Sequence, residues 1–509
     1  MRLLALFYIL LFNIEQSYSQ KIVFEYDPQF KTNAEGRAFS NVRLNSSDSG
    51  KIVYIIYNEN DIIYLLLSND FVVEKKLSPA NGLKSSIYQY EGNRVLGSVI
   101  NDKTGVVYSI HFFIKANPLS NSIRREHFRI ETIDFMSQKL HEQAFFEPEE
   151  GEHYLAQFEY GNRFYLITCI NESKKLTVRI LDENGTTTKK DFSLSELNKV
   201  LLQDQLYNYL SPAASFVDNS DFRNLGADYP VKVFMENENT ILFTLATQKK
   251  VPEILRLDLE TSKSEFLQVS SDELCISEDK KNFNRNNSYF YDGKLYVLNI
   301  CKRKVQLFKF DLSTRSIENK YELNEQSDLQ FSETPVMYAN RDGRRTTDYL
   351  IYKTDILREL YNGAPKIFVN KEASGRIMIS FGVYSEKTEN GDKFVRSTSP
   401  LTELLSGTGG SSNLRYPRQI SESVPMIFSS EPAQSVKSLV NCKMILDVSN
   451  NPIKLKTPQT SLTQSMDYCN KLSNICSSRA IVRIKGKCYT EYFNIATRTI
   501  CLEEIPIKN

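Results

Sequence analysis

The chain has 509 residues, with 63 Lys and Arg against 62 Asp and Glu, so its formal net charge is +1. Hydrophobic residues make up 41% and charged residues 25%, which is ordinary for a globular protein and too apolar for a disordered one. The even charge balance argues against a nucleic-acid-binding protein, which needs a clustered excess of basic residues. The length indicates several domains or one large repeating architecture.

The first nineteen residues are typical of a secretory signal peptide. Arg2 precedes an unbroken apolar run from Leu3 to Phe12, and Ser17 and Ser19 are small residues at the positions that a signal peptidase reads. This run is too short to cross a bilayer, which takes about 20 residues, and no later segment reaches that length. The sequence therefore predicts a signal peptide at 1–19 and a secreted, extracellular chain without a membrane span.

Residues 20–403 are expected to form a β-propeller-like domain. Short stretches rich in Ile, Val, Tyr and Phe alternate with clusters of Asn, Asp, Gly and Ser, which is the pattern of strands and turns. Six candidate blades lie near residues 50–80, 88–140, 152–192, 230–270, 288–325 and 333–400, a seventh is possible, and strand 21–27 is expected to complete the last one. The fold prediction is an all-β, six- to seven-bladed propeller; the alternative is a row of two or three β-sandwiches.

A weak internal repeat supports the blade interpretation. The segment 241–267 aligns with 295–321, which brings Asp258 and Asp311 into register, each before Leu-x-Thr. The segment around Asp182 resembles the second half of the same unit. An Asp at such a corner is expected to accept hydrogen bonds from backbone N–H groups of the turn.

Helical periodicity is scarce. Residues 192–210 form the best candidate, because Leu194, Leu197, Val200, Leu201 and Leu206 fall broadly on one face. A shorter helix is predicted from Thr354 to Tyr361.

The C-terminal part is predicted to be a separate disulfide-rich domain. A Ser-, Gly- and Pro-rich linker at 404–435 precedes residues 436–509, which hold five of the eight cysteines. So small a domain is expected to depend on cross-links. The disulfide candidates are Cys275, Cys301, Cys442, Cys469, Cys476, Cys488 and Cys501, with Cys275 and Cys301 a possible pair. Cys169 is either a buried thiol or forms a disulfide between residues 20–403 and residues 436–509.

Four sequons predict N-linked glycosylation. They begin at Asn45, Asn171, Asn184 and Asn286, none has Pro at its middle position, and all lie in polar stretches between apolar runs. Together with the even number of cysteines, they are consistent with passage through the secretory pathway.

No catalytic, cofactor-binding or metal-binding residue is predicted. The four histidines (His111, His127, His141 and His153) lie close in sequence to Glu147, Glu149, Glu150 and Glu152, but their spacing matches no known metal-ligand pattern. There is no nucleophile elbow, and the glycine-rich stretch at 406–412 lacks the Gly-Lys-Ser/Thr of a phosphate-binding loop.

The leading functional hypothesis is a secreted glycoprotein that acts as an extracellular binding or adhesion module for a protein or glycan, without nucleic-acid partners. Tyr207, Tyr209 and the segment from Tyr349 to Tyr352 are candidate contact residues, because aromatic side chains anchor interfaces. The alternatives are a secreted hydrolase with its site in the propeller channel, or a structural matrix component. A cluster of carboxylates and basic groups would favour the hydrolase.

Overall fold

The chain is almost entirely antiparallel β-structure, which confirms the all-β prediction. The computed structural model describes residues 22–28, 41–46, 50–57, 62–78, 90–116, 124–170, 172–194, 215–216, 231–245, 252–269, 286–327, 329–341, 344–371, 375–388, 435–454, 476–484, 487–494, 497 and 499–504. These residues belong to two compact units. The first unit comprises residues 1–146, 221–223 and 459–509, and the second comprises 147–220 and 224–458.

The described residues contain thirty-one strands and one helix. In chain order the strands are β1 (Ile22–Tyr26), β2 (Asn41–Ser46), β3 (Ile52–Tyr57), β4 (Ile62–Leu67), β5 (Val73–Leu77), β6 (Tyr90–Ile100), β7 (Val106–Ala116), β8 (Arg124–Asp134), β9 (Lys139–Phe146), β10 (Glu152–Tyr160), β11 (Arg163–Ile170), β12 (Lys175–Leu181), β13 (Thr187–Ser193), β14 (Ser215–Phe216), β15 (Val231–Asn237), β16 (Thr240–Leu245), β17 (Glu253–Asp258), β18 (Lys263–Gln268), β19 (Asn286–Tyr291), β20 (Lys294–Cys301), β21 (Lys304–Asp311), β22 (Ser316–Asn324), β23 (Val336–Arg341), β24 (Arg344–Tyr349), β25 (Ala364–Lys371), β26 (Ile377–Thr388), β27 (Ser435–Leu446), β28 (Pro452–Ile453), β29 (Cys476–Ile484), β30 (Lys487–Asn494) and β31 (Thr499–Glu504). The helix is α1 (Lys353–Tyr361). Among these residues no helix is long and apolar enough to cross a bilayer.

The first unit contains three four-stranded sheets, in the orders β1-β31-β30-β29, β2-β3-β4-β5 and β6-β7-β8-β9. The sheet β2–β5 contributes to two apolar cores. Ile52, Tyr54 and Ile56 share one core with Phe24 and residues of β30 and β31. The alternate residues of β3 share the other core with residues of β6–β8. Because both faces are covered, β3 and β4 are continuous apolar runs without alternation.

The second unit contains the sheets β10-β11-β12-β13, β14-β15-β16-β17-β18, β19-β20-β21-β22 and β24-β23-β27-β26-β25, with β28 paired to β27. An apolar core joins the first two of these sheets, with Phe158 and Val178 on one side and Val233 and Phe243 on the other. The strands of each of the six predicted groups lie in one sheet. Strand β1 pairs with β31 in the remaining sheet and not with the group 333–400, which it was expected to complete.

An Asp ends the third strand of several sheets and closes the turn that follows. Asp258 Oδ1 accepts hydrogen bonds from the N–H groups of Glu260 (2.9 Å) and Thr261 (3.0 Å). Asp134 and Asp311 make the corresponding bonds in their own turns, and Asp182, directly after β12, accepts from the N–H groups of Asn184 and Thr186. The predicted role of the repeated Asp is therefore confirmed, and the turn forms because its carboxylate satisfies N–H groups that have no strand partner.

A buried lysine connects three sheets of the second unit. Lys232 on β15 donates hydrogen bonds to Asn287 Oδ1 and to the carbonyl oxygen of Ser288 (3.0 Å), both on β19. Asn287 Nδ2 in turn donates to the carbonyl oxygen of Pro365 on β25 (2.8 Å). A buried ammonium group is tolerated only where oxygen acceptors replace its water, and this chain provides them.

Gly382 is required by the close approach of β26 to β27. A Cβ atom at this position would lie 1.8 Å from the carbonyl oxygen of Val440, which is far inside van der Waals contact. Glycine therefore stands in the middle of a long apolar strand, where its missing side chain would otherwise weaken the sheet.

The described strands of residues 436–509 belong to two different sheets. Strand β27 pairs with β23 and β26, and β31 pairs with β1, so both sheets also contain strands from the predicted propeller-like domain 20–403. The predicted signal peptide 1–19 and the predicted linker 404–435, apart from Ser435, lie outside the described residues.

The shorter predicted helix is confirmed. Helix α1 covers Lys353–Tyr361 and buries Ile356, Leu357 and Leu360. The predicted helix at 192–210 lies outside the described residues, except for its start, where β13 continues to Ser193.

Candidate functional site

A charged face distinguishes the sheet β10–β13. Cross-strand pairing aligns Thr168, Thr177 and Asp191 in one row, with Arg179 and Lys189 two residues further along. Residues on the opposite face, including Cys169, Leu176, Val178 and Phe192, lie in the apolar core. The period-2 alternation of strands β11–β13 thus separates a core face from a face that carries ionisable groups.

The buried part of this face is an ion pair. Arg179 donates to both carboxylate oxygens of Glu152, at 2.6 and 3.2 Å, and to Thr168 Oγ1 at 2.8 Å. Thr168 also donates to Glu152, and the N–H of Glu149 donates to Glu152 Oε2 at 2.9 Å. Burial opposes ionisation of Glu152, but these bonds outweigh it and keep its pKa below the usual value.

Two half-exposed carboxylates, those of Glu149 and Asp191, lie on the same sheet as that ion pair and contact two lysines. Glu149 is within 3.4 Å of Lys175 Nζ and 3.2 Å of Lys189 Nζ; Asp191 is within 3.8 and 3.6 Å of the same two atoms. The side chains of Glu149 and Asp191 are 49% and 45% exposed. Since both bind Lys189 Nζ, the bonded oxygens are at most about 7 Å apart, the sum of those two distances.

The chemistry of this cluster follows from its charges. The hydrogen bond from Lys189, with a further one from Lys175, lowers the pKa of Glu149, so this carboxylate is ionised at neutral pH. Thr177 Oγ1 donates to Asp191 at 2.7 Å and holds the second carboxylate in place. An accessible carboxylate can accept a proton from water, and an adjacent ammonium group can stabilise developing negative charge.

The first unit has a second polar cluster, and it is closed to solvent. His111 Nε2 lies 3.0 Å from Ser109 Oγ, 3.3 Å from the Tyr64 hydroxyl and 3.4 Å from Glu131 Oε2. Tyr64 donates to Glu131, and Arg129 pairs with Glu131 at 2.9 Å. Burial lowers the pKa of His111 to about 4 despite the nearby Glu131 carboxylate.

This cluster does not have the arrangement of a catalytic triad. In a triad the acid bonds one imidazole nitrogen and the nucleophile the other. Here Ser109 and Glu131 both approach Nε2, while Nδ1 is buried and makes no hydrogen bond in the described structure. Burial of His111 also leaves no path for a substrate, so we interpret the cluster as structural.

The histidines and glutamates that are close in sequence are not brought together as metal ligands. His141 and His153 are exposed on β9 and β10, and the His127 ring stacks on Phe113. Within the described ranges there is no group of three His, Cys, Asp or Glu side chains that could hold a metal ion. Sequence reasoning noted Glu149 and Glu152 but missed Asp191, Lys175, Lys189 and Arg179, because the charged residues of β13 are consecutive and do not show which of them share a face.

The glycosylation candidates differ in accessibility. Asn184 is exposed in the turn between β12 and β13. Asn286 is on β19 and only 3% exposed, so the fold opposes a glycan at this position. Asn45 is on β2, and Asn171 lies outside the described residues.

Two of the disulfide candidates are buried thiols. Cys442 on β27 and Cys501 on β31 carry no disulfide, and burial raises the pKa of each thiol. Each lies on a strand with partners on both sides, opposite Phe381 and Tyr492 respectively rather than opposite another cysteine.

Cys301 is disulfide-bonded. Cys476 and Cys488 lie on β29 and β30, whereas Cys275 and Cys469 are outside the described residues. Cys169 is buried on β11.

No family model and no curated protein matches this sequence. Among solved structures, the chain is similar to a prolyl endopeptidase (TM-score 0.28, 11% identity, covering 70% of this chain and 48% of that one). It is also similar to dipeptidyl peptidase 4 of Porphyromonas gingivalis (0.31, 8%, 70% and 52%) and to the β-propeller domain of the Trilobed protease from Pyrococcus furiosus (0.26, 8%, 80% and 79%). The chain thus spans about half the length of the first two.

The comparisons give the predicted adhesion function no support, and we do not retain it. The similar structures that bear names of enzymes are peptidases, an apocarotenoid oxygenase and a dihydro-heme d1 dehydrogenase, and none of those named is an adhesion protein. At identities of 8–11% and TM-scores of 0.25–0.31 the likeness carries no argument about activity. Any activity has to be argued from the residues of this chain.

Proposed function

We propose that this chain is a hydrolase whose reactive groups are the charged cluster Glu149, Lys175, Lys189 and Asp191. The observation that carries the proposal is that Glu149 and Asp191, both half-exposed, bind the same two lysines. In this scheme Glu149 takes a proton from a water molecule that attacks the ester carbonyl, and the ammonium groups stabilise the oxyanion that develops on the substrate. As the ester C–O bond breaks, the proton held by Glu149 passes to the leaving alcohol. The site lies on β12, on β13 and on the segment that precedes β10.

Esters are the substrate class that suits this arrangement, because an ionised carboxylate can act as a base while two ammonium groups face the developing oxyanion. Glycoside hydrolysis also needs a protonated carboxyl group beside the leaving oxygen, and Glu149 is ionised. The buried Glu152–Arg179 ion pair helps to position Glu149. The backbone N–H of Glu149 donates a hydrogen bond to Glu152, and Arg179 holds Glu152 in place.

The test is hydrolysis of a series of nitrophenyl esters by the purified chain between pH 4 and 8. We expect Glu149→Gln to lower kcat by about 100-fold or more, the usual contribution of a general base. Glu318→Gln is the matched control, since Glu318 also binds two lysines, Lys294 and Lys309, on another sheet. Absence of activity on every substrate, or equal activity of the two variants, would refute the proposal.

We also propose that the scaffold is a secreted β-propeller. Seven sheets among the described residues, and a first described strand that pairs with the last one, support this architecture. The signal peptide predicted at 1–19 supports secretion. Deletion of residues 1–19 is expected to keep the chain inside a eukaryotic host cell, and undiminished secretion of that variant would exclude the predicted signal.

A further inference from the structure

Strand β24 is the outer strand of its sheet. It pairs with β23 along its whole length, from Tyr349 opposite Val336 to Arg344 opposite Arg341. No described strand pairs with its other side. The outward N–H and C=O groups of an edge strand form a template for another strand, and β24 contains no Pro to block such pairing.

An exposed apolar patch continues directly from this strand. Tyr349, Ile351 and Tyr352 are 67%, 74% and 70% exposed. These three large side chains, within four residues of sequence, expose apolar surface to water. Burying that surface against a partner would be favourable. The edge and the patch therefore form one surface, which we name the β24 surface.

The sequence of β24, Arg-Arg-Thr-Thr-Asp-Tyr, is complementary to itself. Two identical antiparallel strands can be related by a two-fold axis perpendicular to the sheet. Directly opposed residues point to the same face of the sheet, so this symmetry requires one residue to lie opposite its own copy. With Thr346 at the centre, Arg344 of each strand lies opposite Asp348 of the other. Opposite charges and Thr–Thr pairs are both favourable across strands.

We propose that two copies of this chain associate through the β24 surface, in the register that places Thr346 opposite itself. The two Arg344–Asp348 pairs fix that register, and Tyr349 of each copy lies at the end of the strand pair, next to Ile351 and Tyr352. One six-residue strand from each copy makes a small interface, so the dimer is reversible and depends on concentration. This association is independent of the hydrolase site.

Charge reversal tests the register. Asp348 is exposed, so Asp348→Arg is expected to leave the fold intact while it places like charges opposite each other. Arg344→Asp does the same with the opposite sign. We expect the wild-type chain to show a concentration-dependent dimer by analytical ultracentrifugation, and each single variant to remain monomeric at the same concentrations. Asp70→Arg, in an exposed turn of the first unit, is the control and should still dimerise.

Two rescues separate this proposal from a general loss of stability. The double variant Arg344→Asp/Asp348→Arg restores both pairs and should dimerise again. An equimolar mixture of the two single variants should form a heterodimer, because each reversed residue then faces an opposite charge. A wild-type chain that stays monomeric, or a failure of both rescues, would overturn the proposal.

Discussion

Asp258 and Asp311 hold equivalent turns in two neighbouring sheets of the second unit. Each accepts hydrogen bonds on Oδ1 from the N–H groups two and three residues later, at 2.9 and 3.0 Å for Asp258 and at 2.7 and 3.2 Å for Asp311. The residue four positions later, Ser262 or Arg315, has a φ of 54°. The internal sequence repeat is thus a repeat of turn geometry.

Removing one of these carboxylates should destabilise its turn. We expect Asp258→Ala to lower the free energy of unfolding by about 1 kcal/mol, because two N–H groups lose their acceptor. Asp258→Asn keeps an acceptor oxygen and should lose less. The measurement is urea denaturation at pH 7, and an unchanged midpoint for Asp258→Ala would show that the carboxylate contributes nothing.

The advantage of Asp258 over Asn should depend on pH. Hydrogen bonds, chiefly from the N–H of Thr261, lower the pKa of Asp258 below 3.8. A carboxyl group with a lowered folded-state pKa stabilises the fold above its unfolded pKa and loses that effect as the pH falls through the folded value. The stability difference between wild type and Asp258→Asn should therefore shrink below about pH 3.8; a constant difference would contradict this.

Glycine should be favourable at the left-handed position of the same turn. Ser262→Gly removes the strain of a positive φ and should stabilise the chain by about 0.5 kcal/mol, after the entropic cost of glycine. Glu260→Gly, two residues earlier at an exposed position outside the left-handed region, should be destabilising by a similar amount. Thermal unfolding of both variants measures the contrast, and equal shifts in the same direction would refute it.

Buried His111 should make the first unit sensitive to acid. Its folded-state pKa is about 4 against 6.5 for an unperturbed histidine, so the unfolded chain binds a proton first as the pH falls. Stability from this residue is complete above pH 6.5 and is lost between 6.5 and 4, by up to about 3 kcal/mol.

Substitution of His111 should remove that dependence. His111→Gln lacks the titrating ring, so its unfolding free energy should vary less than that of wild type between pH 7 and 4, even if its value at pH 7 is lower. His141→Gln is the control, because His141 is exposed. Identical pH profiles for wild type and His111→Gln would contradict the assignment.

Accessibility should select among the glycosylation sequons. In chain secreted by a eukaryotic host, we expect a glycan at Asn184, which is exposed, and none at Asn286, which lies buried in β19. Peptide mapping after N-glycosidase treatment should find Asp at position 184 and Asn at position 286. Asp at position 286 would show that Asn286 had carried a glycan. That result would mean that glycosylation precedes the burial of β19 and persists in the fold.

Local patterns determined the strands, their grouping and the Asp turns of this protein. Alternation and turn residues depend on neighbours within a few positions, so residues 241–267 and 295–321 are readable as strand, turn and strand without knowledge of the rest of the chain. Helix α1 was predictable for the same reason, since Ile356, Leu357 and Leu360 form one apolar face within nine residues.

Only the tertiary structure decided which distant strands pair and which charges meet. The pairing of β1 with β31, and of β27 with β23, depends on apolar faces far apart in sequence, and a cysteine count gave no information about them. Glu149 and Asp191 are separated by three strands, and they converge on Lys189 because pleating and register align β12 and β13. Such contacts carry no signature in a single sequence, because hydrogen-bond register, not spacing along the chain, sets them.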